Sequence, residues 1–301
     1  MSSTASVVGG LSPTEQPARG RRKHALVRVL LRSPISVLGL ALVSGFLILA
    51  LFGPLASGYD PTIPLLADRL QGPSPTHLLG TDDTGRDVAT RIAHGARVSL
   101  LMGVVAMAIS AGIGIPLGLV AGYLGGYVDL VIMRLVDILL TLPSIVLAIA
   151  IVSILGSGVA SVIVAVGITT IPAFARLAQA AALTLRNLEF VQAARSVGAT
   201  TPHILVRHVL PNALPPLIVQ ASLGVGTTIL TAAALGFLGL GVQPPAAEWG
   251  AMLSRGRTYI ASAPLLVTIP GMAIGLLVLG CNLVGDGLRD ALDPRLRNLA
   301  R

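Results

Sequence analysis

Between Asp137 and Arg176 the chain has 38 consecutive residues without a charged side chain. As one α-helix this run would be about 57 Å long, at about 1.5 Å per residue, whereas the hydrocarbon core of a bilayer is about 30 Å thick. The sequence Gly156-Ser157-Gly158 near its centre is typical of a tight turn. The run therefore predicts two membrane-spanning helices, over 135–155 and 159–178.

Four further apolar runs are long enough to cross a bilayer. They lie at about 35–56, 99–122, 217–238 and 264–285. Composition agrees with this pattern, because 53% of the residues are hydrophobic, the mean hydropathy is +0.84 and only 11% are charged, against about 25% in soluble domains. A disordered chain is excluded, and an ordinary soluble enzyme is disfavoured. We predict an all-α polytopic membrane protein with six transmembrane helices.

The distribution of Lys and Arg predicts that both termini are cytoplasmic. In that orientation 15 of the 21 basic residues lie in cytoplasmic segments, and the external segments hold six basic and six acidic residues. The net charge of +8 is then a signal of topology, so we expect membrane lipid and no nucleic acid as a partner. The predicted organisation is a disordered cytoplasmic tail (1–24), a region with the first helix and an external loop (25–98), a transmembrane domain (99–285) and a cytoplasmic C-terminal tail (286–301).

The internal segment 179–212 predicts a helix–turn–helix on the inner surface. Gly198 supplies a helix stop, Thr201-Pro202 is typical of an N-cap followed by proline at the first helical position, and Pro211 is expected to end the second helix. The first helix has apolar residues at helical spacing, namely Leu185, Leu188 and Val191. The amphipathic pattern fits two environments equally, lipid headgroups or the surface of a cytoplasmic partner.

The residues of this segment favour the partner. The run Gln192-Ala193-Ala194-Arg195-Ser196-Val197-Gly198, with Leu210-Pro211 downstream, resembles the EAA loop of ABC-importer permeases. Gln192 stands where that family has Glu, and His208 where it has Ile. Further segments are similar to the second permease of dipeptide and oligopeptide importers, at 77–87, 95–100, 207–212, 235–241 and 286–295.

The resemblance implies a type I ABC-importer permease fold in a bacterial cell membrane, with a coupling-helix loop between helices 4 and 5. In that family the loop seats in a groove of the ATPase subunit. The implied partners are a second homologous permease, two cytoplasmic ATP-binding subunits, an extracytoplasmic solute-binding protein and a peptide-like solute, with nickel or glutathione as alternative cargoes. The ATPase-coupling residues so implied are Leu188, Val191, Gln192, Ala193, Ala194, Gly198, Leu210 and Pro211.

Several kinds of chemistry have no motif in this sequence. The single lysine, Lys23, is followed by His24, so no Gly-Lys-Ser/Thr phosphate-binding loop is present. The single cysteine, Cys281, forms no CxxC pair, and His203 and His208, five residues apart, are expected on different sides of a helix. We expect no catalytic residue, cofactor or metal. A proton-coupled carrier is disfavoured because the span centres lack charge; a membrane scaffold stays open.

Two patterns inside the spans predict specific contacts. Gly114, Gly118 and Gly122 recur every fourth residue, which favours close helix packing, within the chain or against a second permease. Arg134 and Asp137, three residues apart, lie on one helical face and could pair.

The external segments allow a simple and a functional interpretation. Asp82, Asp83, Arg86 and Asp87 predict a solvated loop with weak ion pairs, and the alternative is a seat for a solute-binding protein. Trp249 is interpreted as an anchor at the membrane interface, with a place in that seat as the alternative.

Overall fold

A computed structural model describes residues 33–292 of the chain. The predicted N-terminal tail (1–24) and residues 293–301 lie outside the described residues. The described part contains helices, turns and loops but no β-strand, and short 3₁₀ turns lie at Leu66–Asp68 and Arg257–Tyr259. The helices are α1 (Pro34–Ala56), α2 (Val88–Leu124), α3 (Gly126–Leu140), α4 (Ser144–Leu155), α5 (Val159–Leu185), α6 (Glu189–Ser196), α7 (Thr201–Phe237), α8 (Trp249–Gly256) and α9 (Leu265–Leu292).

Five helices, α1, α2, α5, α7 and α9, are each long and apolar enough to cross a membrane. The sixth predicted span is present only as a bent pair, because α3 and α4 meet at an angle of 88°. The prediction of one continuous helix over 135–155 is therefore wrong. Pro143 explains the break, since proline disfavours helical geometry in the preceding residue and cannot donate a backbone hydrogen bond.

The predicted turn at Gly156-Ser157-Gly158 is confirmed, because α4 ends at Leu155 and α5 begins at Val159. Both glycines have positive φ, +86° at Gly156 and +150° at Gly158. L-residues with a side chain rarely adopt such values, so the two glycines let the chain reverse within three residues.

The predicted glycine packing is confirmed within the chain, where α2 lies against α5. A Cβ atom built on Gly118 would lie 2.1 Å from the carbonyl oxygen of Ala175, and one built on Gly122 would lie 2.4 Å from that of Gln179. Neither position has room for a side chain. The two backbones thus approach closely along the C-terminal half of α2.

α2 separates two groups of shorter elements. Its 37 residues correspond to a length of about 55 Å. Its N-terminal end contacts α8, and its C-terminal end contacts α6. We call segments 57–87 and 238–264 the loop layer and segment 186–209 the elbow; they lie at opposite ends of the bundle.

The elbow differs from its prediction in three respects. A break at Arg186–Leu188 separates α5 from α6, so Leu185 and Val191 do not share one helix. The N-cap of the second helix is Thr200, one residue before the predicted Thr201. Pro211 does not end that helix, because α7 runs from Thr201 to Phe237. A π-helical turn at Leu205–Val209 precedes the proline and widens the helix where its ring would meet the carbonyl four residues earlier.

The same π turn corrects the prediction for the two histidines. The rings of His203 and His208 lie 5.9 Å apart, centroid to centroid, because a π turn brings residues five apart onto one face. The predicted pair of Arg134 and Asp137 is also wrong. Asp137 instead forms an ion pair with Arg176 of α5 at 2.6 Å. This pair joins α3 to α5, whereas the predicted pair would have lain within α3.

Candidate functional sites at the two ends of the bundle

A buried ion-pair network lies in the loop layer around Asp82. Arg86 Nε donates a hydrogen bond to Asp82 Oδ2 at 2.8 Å, and Arg91 Nε lies 3.3 Å from the same oxygen. Arg86 Nη2 also lies 2.8 Å from that oxygen, without the alignment of a hydrogen bond. All three residues are buried. The prediction of a solvated loop with weak surface pairs is therefore wrong here.

The environment of Asp82 favours its charged form. Burial of the carboxyl raises its pKa. Hydrogen bonds from the Arg86 side chain and from the backbone N–H groups of Thr84 and Arg86 lower the pKa by more than burial raises it, so the pKa of Asp82 lies below the usual value. A carboxylate held between two guanidinium groups is costly to remove. Loss of one partner from a buried pair typically destabilises a protein by about 3–5 kcal/mol.

Arg91 joins both parts of the loop layer. Its Nη1 donates to the carbonyl oxygen of Pro61 at 2.6 Å and to that of Pro245 at 3.2 Å. The guanidinium belongs to the first turn of α2, so one side chain connects this helix, the loop before it and a loop more than 150 residues later. The two loops are thereby held in one arrangement.

A second buried pair fixes the start of α2. Asp87 is the N-cap, with Oδ2 accepting hydrogen bonds from the N–H and hydroxyl of Thr90, both at 2.7 Å. Its Oδ1 lies 3.0 Å from Nδ1 of His77, and the ring of Tyr59 lies 4.8 Å from the imidazole. A cavity of about 350 Å³ between the end of α1 and the start of α2 adjoins this pair.

Trp249 is not an interface anchor, and that prediction is wrong. Its side chain is completely buried, and Nε1 donates to the carbonyl oxygen of Ile92 at 3.0 Å. A Cβ built on Gly95 would lie 2.7 Å from the indole, so the glycine makes room for the ring. The indole attaches α8 to the N-terminal part of α2.

Glu248 completes the attachment of α8. Its carboxylate accepts hydrogen bonds from the N–H groups of Gly250 and Ala251 at 2.7 and 2.8 Å and so caps the helix. Burial raises the pKa of this carboxyl in spite of those bonds. A Cβ on Gly236 would lie 2.4 Å from Glu248 Oε2, so only glycine fits at this position near the end of α7.

The elbow at the other end presents two faces. Val191 is completely buried and Ala194 nearly so, in a cluster with Tyr123, Ile204 and Val209. Both were predicted to pack into a partner's groove, but here they pack inside the chain. The inward direction follows from their spacing of three residues, which places them on one face of α6.

The outward face of the elbow carries apolar side chains that the chain itself leaves uncovered. Phe190 is 41% exposed, and Val197, just after α6, is 84% exposed. Leu188, Gln192 and Ala193 of the predicted coupling set are exposed as well. Phe190 and Val197 were not predicted, although both lie within or beside the quoted motif. Uncovered apolar groups grouped on one face make this face a candidate interaction surface.

The turn between α6 and α7 depends on Gly198. Its φ is +80°, and no atom lies within 4 Å of a Cβ built on it. The glycine is therefore required for its backbone conformation and not for space, as expected of a helix stop. Leu210 is half-buried against the inward cluster, and Pro211 is exposed at the start of the spanning part of α7.

Within residues 33–292, no three His, Cys, Asp or Glu side chains are grouped as metal ligands. The part of the chain that the structure describes presents no metal centre.

Residues 114–298 match the family described as the inner membrane component of binding-protein-dependent transport systems. This chain belongs to that family. The permease is 49% identical to the dipeptide transport system permease protein DppC of Alkalihalophilus pseudofirmus, over 89% of this chain and 88% of that protein. It is 50% identical to the di/tripeptide transport system permease protein DppC of Pseudomonas aeruginosa, over 83% and 85%. The resemblance to ABC-importer permeases is confirmed.

Two further comparisons agree. The permease is 46% identical to the glutathione transport system permease protein GsiD of Pectobacterium atrosepticum, over 90% of both chains. An inward-facing structure of the MetNI methionine ABC transporter matches with a TM-score of 0.55 at 23% identity, over 67% of the permease and 96% of that chain. The permease therefore has the all-helical fold of an ABC-importer permease, and it is a transmembrane subunit of that class.

Proposed function

We propose that the permease forms half of the membrane pathway of an importer for di- and oligopeptides. A second homologous permease supplies the other half, two cytoplasmic subunits bind ATP, and an extracytoplasmic protein delivers the solute to the loop layer. In this proposal both termini are cytoplasmic, the elbow faces the cytoplasm and the chain itself catalyses no reaction.

The observation that carries the proposal is the two-faced elbow. Val191 and Ala194 attach α6 to the bundle, while Leu188, Phe190 and Val197 remain exposed. A resting place on lipid headgroups is the alternative for an amphipathic helix. We disfavour the lipid alternative because the elbow is short and because its exposed apolar groups continue past α6 to Val197 at the turn. We therefore assign the exposed face to the groove of an ATP-binding subunit.

If ATP drives transport, separate subunits must bind it. A phosphate-binding loop needs a lysine before Ser or Thr, and Lys23 is followed by His24. Coupling to an ion gradient is less consistent with the spans, because such carriers place ionisable groups near the membrane centre. The charged residues that join α3 to α5 lie instead towards the elbow end, at Asp129, Asp137 and Arg176.

The choice of cargo depends on the relatives. The names of two of them specify dipeptides or di- and tripeptides, and another specifies glutathione, which is itself a peptide-like solute. Short peptides are the class common to these names. None of these three names specifies nickel, which remains the other alternative.

Uptake into proteoliposomes tests the function. The permease is reconstituted with its companion permease, ATP-binding subunits and solute-binding protein, and labelled dialanine is offered on the binding-protein side. We expect uptake that requires ATP and is insensitive to a protonophore. Uptake driven by a proton gradient without ATP would contradict the proposal; ATP-driven uptake of glutathione but not dialanine would keep the importer and change the cargo.

Crosslinking tests the docking face. In a Cys281→Ala background, Val197→Cys introduces a thiol that is exposed, and Val191→Cys introduces one that is buried in the same elbow. We expect a maleimide that carries a photoreactive benzophenone to join Val197→Cys, but not Val191→Cys, to an ATP-binding subunit. The docking role is contradicted if no crosslink forms and if a simple maleimide labels Val197→Cys equally with and without that subunit.

A further inference from the structure

Arg195 reaches from the exposed face of the elbow to a buried ring. Its Nη2 donates a hydrogen bond to the hydroxyl of Tyr123 at 3.0 Å, and its guanidinium carbon lies 5.4 Å from the centre of the tyrosine ring. That distance is within the range of a cation–π contact. Arg195 is exposed, whereas Tyr123 is only 5% exposed. One side chain therefore joins the outward part of α6 to the interior of the bundle.

Tyr123 lies at an unusual corner of the backbone. Gly125, between α2 and α3, and Gly126, the first residue of α3, both have positive φ, +67° and +56°. Arg186 holds the corner from the other side, because its Nη1 donates to the carbonyl oxygen of Gly122 at 3.0 Å. The corner is thus contacted by one arginine from the end of α5 and by another from α6.

The two arginine contacts differ in what they join. α2 and α5 already pack backbone to backbone at Gly118 and Gly122, so Arg186 adds to a rigid unit. α6 packs most closely on the first turns of α7. Within residues 33–292, Arg195 to Tyr123 is the one hydrogen bond between side chains of α6 and α2. A displacement of α6 reaches the corner through this polar contact, in addition to the apolar packing of Val191 and Ala194 in the cluster that contains Tyr123.

We propose that Arg195 is a positioning residue, which transmits movement of the elbow through Tyr123 to the corner between α2 and α3. The inference rests on the proposed docking of the elbow. α2 and α3–α4 then follow the elbow when the ATP-binding subunits close. Without the contact, α6 moves at the turn formed by Gly198 while the corner follows it less completely, so more ATP is hydrolysed for each solute transported.

The test uses the reconstituted complex and measures ATP hydrolysed per labelled dialanine taken up, or per glutathione if that is the transported probe. Tyr123→Phe removes the hydroxyl and keeps the ring, and Arg195→Gln removes the charge. Ser196→Ala is the matched control, since the Ser196 hydroxyl bonds only to the carbonyl of Gln192 on the same helix. The unfolding temperature and co-purification of the ATP-binding subunits are measured on every variant.

We expect Tyr123→Phe to raise the ratio about fivefold, which corresponds to about 1 kcal/mol for a hydrogen bond. Arg195→Gln should raise it further, and Ser196→Ala should leave it unchanged. A merely structural contact would lower the unfolding temperature without changing the ratio, and that result overturns the inference. If Arg195→Gln does not assemble, the milder Tyr123→Phe decides.

The outcomes separate the inference from the proposed function. Wild-type uptake driven by ATP, with an unchanged ratio in Tyr123→Phe, overturns the transmission role and leaves the importer intact. Absence of ATP-driven uptake in the wild-type complex overturns the proposed function and the inference with it.

Discussion

Arg91 Nη1 lies 3.2 Å from the carbonyl oxygen of Pro245, although the two residues are 154 positions apart in the chain. The same nitrogen binds the carbonyl oxygen of Pro61, and Nε of the same side chain faces Asp82. A planar guanidinium has enough fixed donors for all three contacts, whereas an ammonium group has one centre. The loop layer is therefore organised around an arginine and not simply around a positive charge.

Arg91→Lys should consequently loosen the loop layer while keeping the charge. An ammonium has three donors but only one nitrogen, which cannot occupy the positions of both Nη1 and Nε, so we expect a loss of about 1–3 kcal/mol in the free energy of unfolding. Thermal unfolding and limited proteolysis of purified protein measure it. Arg257→Lys, at an exposed arginine of the same layer, is the control. Equal stability of the two variants would show that charge alone suffices.

Asp82→Asn should make the stability of the protein less dependent on pH. The folded pKa of Asp82 is below its unfolded value of about 4, so its contribution is complete above about pH 4 and is lost as the pH falls through the folded pKa. The wild-type unfolding temperature should therefore drop on acidification below pH 4. In Asp82→Asn, which is destabilised by about 3–5 kcal/mol at pH 7, that drop should be smaller.

The matched control for this experiment is Asp83→Asn, at the neighbouring half-buried carboxyl, which lies 3.9 Å from Arg86. It should be milder than Asp82→Asn at pH 7, because the longer and more exposed pair is worth less. Identical acid profiles in wild type and Asp82→Asn would rule out a role of Asp82 in acid stability.

Gly118→Ala should destabilise the helix pair of α2 and α5. Its Cβ would lie 2.1 Å from a backbone carbonyl oxygen, so the helices must separate, at a cost of about 1–3 kcal/mol. Gly112→Ala on the same helix meets no atom within 4 Å and should stabilise α2 by up to about 1 kcal/mol. Opposite shifts of the unfolding temperature are the expected result. Shifts of the same sign would contradict this packing.

Thiol labelling checks the orientation of the chain. Leu78 in the loop layer and Val197 in the elbow are both strongly exposed, 73% and 84%, at opposite ends of α2. In a Cys281→Ala background, a membrane-impermeant maleimide added to intact cells should label Leu78→Cys and should reach Val197→Cys only after the membrane is opened. The reverse pattern would place both termini outside and reject the proposed topology.

The residue pattern was informative wherever one element sufficed. Uncharged runs identified the spans because a bilayer tolerates little else. The turn at Gly156–Gly158, the stop at Gly198 and the close approach along Gly114–Gly122 followed from local backbone rules. The motif over Gln192–Gly198 with Leu210-Pro211 indicated the family, which the comparisons confirm.

Most errors arose where distant segments meet, but the break at Pro143 and the π turn before Pro211 were missed within a single segment. Asp82 and Trp249 look like surface residues along the chain, yet partners such as Arg91 and Ile92 bury them. The continuation of α7 past Pro211 depends on a π turn that no propensity indicates. The contact between Arg195 and Tyr123 joins residues 72 positions apart, and neither belongs to a motif that includes the other.

The sequence by itself determined a membrane-embedded helical chain, five of its six predicted spans and its family, since hydropathy and short motifs are local properties. Only the tertiary structure decided which charges are buried and paired, which face of the elbow is free and which side chain joins it to the bundle. The reason is physical: whether a polar or apolar group is covered depends on what packs against it, and those neighbours come from parts of the chain that no local pattern connects.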